Sequence, residues 1–467
     1  MKTINYLAMI FGGISTNLAC QAQNTLKNQH PNIILLMADD MGWGDTGFNG
    51  NKEIKTPGLD QMAKEGLVFN RFYAGSAICS PTRGSCITGR NPFRYGIYFA
   101  NEGMMKKEEI TISEVAKKVG YISAHFGKWH LGTFSKTIPD GRRGGTGESY
   151  SPPWENGFDQ CFSTEQAVPT WNPMINQPFT NPTRYWTGPD KFAADNLEGD
   201  DSRVIMDRVI PFINDASKKN TPFLAVVWFH TPHSPVIAGP KYLEMYKEYD
   251  ENKQHYYGCI TALDEQVARL RQELKRLNID DNTLITFCSD NGPAGEGGGV
   301  KQEPGKRQQG VSGGFRGRKG VLYEGGLRVP GIILWPSHIK GGQHTDFPAV
   351  TSDYFVTMLG LWGYKLPNRP YDGIDLMPAI DGKMKERPGF IGFQTPTQMS
   401  IVTENYKLIS PDRKGYELYD LLKDKYEQKD IAKTNSAMVE KMKKQMLKWV
   451  ESCKKSDKGG DYTDDED

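Results

Sequence analysis

Five short clusters in this 467-residue chain carry side chains able to do chemistry. Asp39 and Asp40 are adjacent carboxylates, and Asp290 is followed by the amide of Asn291. Oxygen ligands of this kind suit hard cations such as calcium or magnesium. The alternative for Asp39-Asp40 is a solvated turn running into Met41-Gly42. Lys128 and His130 stand two apart, so on an extended segment they share a side. A cation beside a titratable ring suits anion binding and proton transfer, where the plainer reading is an exposed lysine and a structural histidine. His230 and His233 close the fourth cluster. In the fifth, Cys79 precedes Pro81 and Arg83. Pro81 suits a first helical turn, which places Cys79 at or just before a helix N-terminus. Oriented N–H groups and the Arg83 fork there favour an anion. Cys79 is then either a reactive residue in an anion nest or a buried structural thiol.

The elements that must hold these clusters are strands. Residues 31–38 form a continuous apolar run, as do 221–229 and 282–289, and 121–126 is a shorter strand. Apolar runs without alternation predict strands buried on both faces of a parallel sheet. Asp39-Asp40, Lys128-x-His130, His230-x-x-His233 and Asp290-Asn291 each follow one of these strands. Polar groups at the same ends of several parallel strands converge on one crevice. Helices are expected at 58–66, 110–119, 204–213 and 260–277, with a further strand at 331–336. The last of these helices carries Ile260, Leu263, Val267, Leu270, Leu274 and Leu277 at helical spacing, which is core packing. The fold class is therefore α/β: a mainly parallel central sheet flanked by helices, with a smaller C-terminal α+β subdomain.

Residues 134–201 read as an irregular surface loop system, too long for an ordinary connection. Trp154, Trp171 and Trp186 within it either stack on sugar rings or pack the loops down. The Gly-rich, basic stretch 292–320 lacks the spacing of a phosphate loop. After about Arg387 short strands at 400–403, 406–410 and 416–419 precede a helix with Val439, Met442, Met446 and Val450 on one face. The acidic end, 461–467, is expected to be disordered. The organisation is thus a signal peptide over 1–22, a catalytic α/β domain over 28–386 and a C-terminal subdomain over 387–467.

The chain has a net charge of +1, which gives no support to binding nucleic acid. Lys2, a short apolar run from Tyr6 to Ile14 and a cleavage point after Ala22 read as an export signal, implying a periplasmic or secreted protein. Lipid anchoring through Cys20 is the alternative, weakened by Asn17. No later segment reads as transmembrane. Seven cysteines in a chain this long argue against a dense disulfide framework.

The ordered set of motifs resembles the type I, formylglycine-dependent sulfatase family of the alkaline-phosphatase-like superfamily. Cys79-Ser80-Pro81-Thr82-Arg83 is similar to its Cys-x-Pro-x-Arg signature, with Thr82 in place of the commoner serine. Ile87-Thr88-Gly89-Arg90, Asp39-Asp40-x-Gly, Gly127-Lys128-Trp129-His130-Leu131-Gly132, Ser289-Asp290-Asn291-Gly292 and Lys319-x4-Glu324-Gly325-Gly326 follow the family's order. Within the family the chain looks like bacterial polysaccharide sulfatases and the N-acetylgalactosamine-6-sulfatase and arylsulfatase group. The resemblance implies that a formylglycine-generating maturation enzyme oxidises Cys79 to Cα-formylglycine (3-oxoalanine), whose hydrate is the nucleophile. It implies a calcium ion held by Asp39, Asp40, Asp290, Asn291 and modified Cys79. Asp290 takes the attacking proton, Arg83 steadies the hydrate, and Lys128, Lys319 and His233 bind sulfate oxygens. His233 serves as general acid and His130 as the base that restores the aldehyde, while His230 supports. Arg316, Glu324 and Arg328 belong to the supporting scaffold, with Arg316 also a candidate substrate contact.

The expected activity is an exported sulfatase acting on a sulfated carbohydrate. A phosphomonoester or phosphonate monoester hydrolase on the same fold is the enzymatic alternative. A non-catalytic carbohydrate-binding lipoprotein is the other, and retention of every catalytic motif argues against it.

Overall fold

The computed structural model describes residues 31–144, 147–175, 177, 181–295 and 309–462. The expected export signal with Cys20, and residues 463–467 of the acidic end, lie outside them. No helix among the described residues is long and apolar enough to cross a membrane.

In chain order the strands are β1 (Asn32–Ala38), β2 (Leu67–Phe69), β3 (Phe72–Tyr73), β4 (Ile122–Lys128), β5 (Gln160–Thr164), β6 (Trp186–Gly188), β7 (Lys191–Phe192) and β8 (Phe223–Trp228). They continue as β9 (Thr283–Ser289), β10 (Ile332–Leu334), β11 (Gln343–Thr345), β12 (Ala349–Val350), β13 (Ile391–Gln394), β14 (Met399–Val402), β15 (Tyr406–Ser410) and β16 (Glu417–Asp420). Ten of them build one sheet in the order β11-β2-β10-β9-β1-β8-β4-β5-β6-β7. The middle five, β9 to β5, are parallel, and β10 and β6 run antiparallel to their inner neighbours. The four strands predicted to carry the clusters are β1, β4, β8 and β9, and the further strand expected at 331–336 is β10.

Alternation along β1 shows why its whole run is apolar. Ile33, Leu35 and Met37 pack on one layer with Cys86, Ile112, Val115, Phe355 and Leu359. Ile34, Leu36 and Ala38 pack on the other with Leu59, Met62, Val204, Leu263 and Val267. Each such Ile or Leu contributes about 1.5–3 kcal/mol by leaving water. Helices Cys79–Thr88, Ile112–Lys118 and Asp353–Leu361 supply the first layer; Pro57–Glu65, Asp201–Lys218 and Glu251–Arg276 supply the second.

The described part of 134–201 carries more regular structure than its composition suggests. β5 pairs in parallel with β4, and β6 and β7 extend that edge. Trp186 is buried between Phe134 and Phe192, with Trp154 against it, so these two tryptophans pack the loops down. The first nine residues of helix Glu251–Arg276, helix Asp353–Leu361 and strand β13 also went unpredicted.

The strands β13 to β16 form a separate antiparallel sheet. Helix Ser436–Asp457 covers one face with Val439, Met442, Met446 and Val450, as its spacing predicted. The change of grain near Arg387 is no loose linker. The Arg387 guanidinium donates to both carboxylate oxygens of Asp353, at 2.8 and 2.7 Å, and both residues are buried.

Candidate active site

Strand register brings the clusters together. Ala38 lies beside Ser289, Met37 beside Trp228, and Gly127 beside Trp228. The next residues of each strand therefore leave the sheet along one edge: Asp39-Asp40, Asp290-Asn291, Lys128 and the turn at His230. Gly127 is needed for this approach, since its φ is +90° and a Cβ there would meet the Trp228 carbonyl oxygen at 2.0 Å.

Cys79 opens helix Cys79–Thr88 at its first position, with Pro81 two residues on, and is buried. The Thr82 hydroxyl donates to the Ser76 carbonyl and accepts from the Ser76 N–H, both at 2.9 Å, which pins the loop entering the helix. Gly89 ends the helix in the left-handed conformation, and Arg90 beyond it is buried against Glu109. The run Ile87-Thr88-Gly89-Arg90 thus terminates and anchors the helix. All six described cysteines are unbridged.

Around Cys79 the charges interlock. Arg83 donates to Asp290 at 2.7 Å and lies 3.5 Å from Asp39. Lys128 donates to Asp39 at 2.7 Å, and Lys319 approaches Asp40 to 2.6 Å. Asn291 donates to Asp40 at 2.7 Å. His233 Nε2 stands 3.8 Å from Asp40, while its Nδ1–H donates to the Ser234 carbonyl at 2.6 Å.

The titration behaviour follows from this arrangement. Burial pushes the Asp290 carboxyl up to about 7, and Asp39 beside it adds to the shift against Arg83 and Lys128. Burial would also raise Asp40, but Lys319, His233 and Lys128 together hold it below the usual carboxylate range. Burial and Lys128 drive His233 down, with Asp40 opposing. Burial, Lys128, Arg143 and Arg83 keep His130 neutral, well below the ordinary histidine value.

The donor set fits a hard cation. Ligand atoms of Asp39, Cys79 and Asp290 all lie within 4.8 Å of one another, as do those of Asp39, Asp40 and His233. Asp39 Oδ1 and Asn291 Oδ1 are buried acceptors with no partner. Such orphaned oxygens are costly unless a ligand meets them.

Sequence reasoning missed Asn101, whose Oδ1 lies 2.7 Å from His130 Nε2. An amide oxygen accepts, so the imidazole proton sits on Nε2 and leaves the buried, unpartnered Nδ1 with its lone pair. Both residues have left-handed backbones, with φ of 64° and 61°, and Asp40 shares that conformation at 68°. Strain of this kind clusters at functional sites. Arg143 also went unnoticed; it pairs with buried Glu165 and donates to the His130 carbonyl. His230 is supportive as expected, fixed between Asp201 at 2.7 Å and Thr164 at 2.8 Å. Arg316 does not join the interlocked set. Its guanidinium lies over the Tyr323 ring at 3.8 Å and donates to the Tyr419 hydroxyl at 2.7 Å, so it grips the C-terminal sheet.

Residues 31–364 match the family described as Sulfatase, and residues 314–455 match the one described as N-sulphoglucosamine sulphohydrolase, C-terminal. The chain belongs to the sulfatase family. It is a sulfuric ester hydrolase by that membership. N-acetylgalactosamine-6-sulfatase of Mus musculus is 32% identical over 81% of this chain and 72% of its own length. Arylsulfatase A of Homo sapiens is 30% identical over 76% and 68% respectively. The solved structure of Ps i-CgsB in complex with k-i-k-neocarrahexaose superposes with a TM-score of 0.79 and 26% identity, over 91% of this chain and 93% of that one.

Proposed function

We propose that this sulfatase is exported and removes a sulfate ester from a sulfated oligo- or polysaccharide. What carries the reading is the convergence of three carboxylates, three cations and two imidazoles on Cys79 in a chain of this family. The carbohydrate class is supported by relatives named for a sulfated sugar and by a neighbour holding a carrageenan hexasaccharide.

Formylglycine made from Cys79 by a maturation enzyme would supply the oxygen nucleophile as its hydrate, and calcium on Asp39, Asp40, Asp290, Asn291 and residue 79 would favour the alkoxide and orient the sulfate. With the carboxylates engaged by a cation, the Lys128 and Lys319 ammonium groups are free to face an anion. They and Arg83 then neutralise the charge that grows on the transferring sulfuryl oxygens. Asp290, whose carboxylate lies beside Cys79, takes the first proton. His233 carries its proton on Nε2 to the departing sugar oxygen. A bound anion beside it offsets the push from Lys128 and Lys319, which is what lets a buried imidazole become an acid. His130 accepts a proton at Nδ1, held in that tautomer by Asn101. Trp228, 5.3 Å beneath the Arg83 guanidinium, helps keep water from that face.

The test is a panel of defined sulfated mono- and oligosaccharides, with the matching phosphate esters, given to protein co-expressed with a formylglycine-generating enzyme. Release of sulfate from sugar sulfates, far faster than phosphate release, is expected. Faster turnover of the phosphate esters would overturn the reading.

A further inference from the structure

Helix Ser436–Asp457, strand β13 and the segment after the cysteine helix enclose a cavity of about 360 Å³. That volume lies within the range of small-ligand sites, roughly 300–1,000 Å³. Phe93, Tyr98, Gln394 and Arg413 line it. Gln394 is 3% exposed, and its Nε2 donor has no partner. Arg413 donates through one terminal nitrogen to the Thr395 carbonyl at 2.6 Å, yet its Nε is buried and unpartnered. No carboxylate among the described residues pairs with it, and burial alone holds its guanidinium below the ordinary arginine value. The acidic neighbour Asp457 is already engaged by the Tyr98 hydroxyl and by Lys106. The Phe93 and Tyr98 rings stand 5.0 Å apart at the cavity wall.

Both walls continue in sequence into residues that contact the active site. Glu102 lines the cavity, and the preceding Asn101 holds His130 and donates its N–H to the Ser80 hydroxyl at 3.4 Å. On the other side Gln394 leads into the turn that ends at Gln398. Gln398 accepts from the Leu322 N–H at 2.9 Å, and Gly320, next to Lys319, donates to the Ala77 carbonyl. The cavity is thus tied to the site through residues next in sequence to its lining on two sides.

We propose that the cavity is a second subsite, taking an anionic sugar of the same polymer that bears the scissile sulfate. The proposal rests on the carbohydrate reading above. The Arg413 fork meets a sulfate or carboxylate, Gln394 donates to a hydroxyl or sulfate oxygen, and the Phe93–Tyr98 pair takes the apolar face of the ring.

The experiment compares kcat/KM on the longest oligosaccharide of the panel that the wild type turns over with kcat/KM on the corresponding monosaccharide sulfate. Arg413→Ala is expected to lower the oligosaccharide value about tenfold, mostly through KM, and leave the monosaccharide unchanged, the size of one charge-assisted hydrogen bond. Gln394→Leu should move the same ratio in the same direction, and Arg413→Lys should restore part of it. Gln394→Leu also guards against a folding defect at Arg413, whose φ is +61°. Titration of the oligosaccharide into Cys79→Ala protein should show the same loss of affinity with Arg413→Ala added. Equal loss on both substrates, or no change in the ratio with either variant, overturns the subsite. A wild type that turns over no sugar of the panel, while cleaving a simple aryl sulfate, overturns the carbohydrate reading and the subsite with it.

Discussion

Replacing Lys407 should cost a large share of the protein's stability. Its ammonium is fully buried on β15 and bridges Glu324 at 3.1 Å and Glu427 at 2.9 Å, both equally buried. Glu324 also receives Arg328 and the Tyr73 hydroxyl, and Glu427 accepts the Glu324 N–H at 2.6 Å. This network sits where the C-terminal sheet meets the short helix Glu324–Leu327, and Gly326 of that helix accepts the N–H of Gly292, beside Asn291. Lys407→Met leaves two carboxylates facing each other with one cation near Glu324. Breaking a buried pair in this way costs about 3–5 kcal/mol, a large part of a net stability of about 5–15 kcal/mol. With a urea slope of about 3 kcal/mol per molar, the midpoint should fall by about 1–1.7 M, read by tryptophan fluorescence at pH 8. The pH dependence adds a second check. Burial already raises Glu427, with Lys407 opposing and Glu324 adding, so losing Lys407 raises it further. A raised carboxyl is no burden below its ordinary value of 4.5 and becomes one as pH climbs through the folded value. The gap between variant and wild type should therefore narrow from pH 8 towards pH 4.5, and adding Glu427→Gln should recover part of the loss. A midpoint shift below about 0.3 M, or a gap that stays constant on acidification, would refute the reasoning.

Cys79→Ala should abolish sulfate release while leaving the far-UV circular dichroism and unfolding midpoint unchanged, and mass spectrometry of the wild type should find the tryptic peptide lighter by sulfur and two hydrogens exchanged for oxygen. Asn101→Leu should lower kcat by about tenfold or more with KM little changed, because the general base loses its fixed tautomer rather than its place; an unchanged kcat sinks that role. Burial pushes Asp140, which accepts from the Trp186 indole at 2.6 Å, up to about 7. Its contribution is complete below about 3.8 and is lost as pH rises through 7, so Asp140→Asn should flatten the fall in unfolding midpoint between pH 5 and pH 8. Chelation should abolish turnover, and added calcium at about a hundred times its Kd should raise stability by about 2.7 kcal/mol, an effect that Asp39→Asn removes.

The centre of the molecule was legible because its physics is local in sequence. A run such as Ile33 to Ala38 can only be a strand buried on both faces, and a polar pair straight after it must sit at the strand's end. Four such ends fixed the crevice before any pairing was known. β5 escaped because Gln160-Cys161-Phe162-Ser163-Thr164 is short and carries one strong apolar side chain, and only β4 beside it makes it a strand. Helix Glu251–Arg276 began nine residues earlier than its leucines announced, since His255, Tyr256 and Tyr257 are buried by tertiary packing rather than marked by spacing. Asn101 was invisible for another reason. Its partner is 29 residues away, and the left-handed backbone that aims its side chain leaves no pattern in sequence. Arg316 stayed open between scaffold and substrate contact because a basic residue near Lys319 looks alike in either role; its contacts with Tyr323 and Tyr419 are the scaffold part.

The charges of the site explain why it needs so many polar groups that seem redundant. Arg83, Lys128 and Lys319 are paired with Asp290, Asp39 and Asp40, so the cations are already engaged and have no strong claim on an anion. The lysines spend their donors on the carboxylates, and Asp290 is left holding a proton near neutral pH. A divalent cation taken up by the carboxylates turns the same residues into a net positive crevice with two ammonium groups released. A sulfate monoester, carrying one negative charge, then enters a site that attracts it and is not neutralised by it, so the surplus remains for the charge that develops in the transition state. On this reasoning the acidic residues are not opponents of the anion. In the function proposed above they would make its capture conditional on the metal, and the orphaned oxygens of Asp39 and Asn291 are the acceptors that metal would meet.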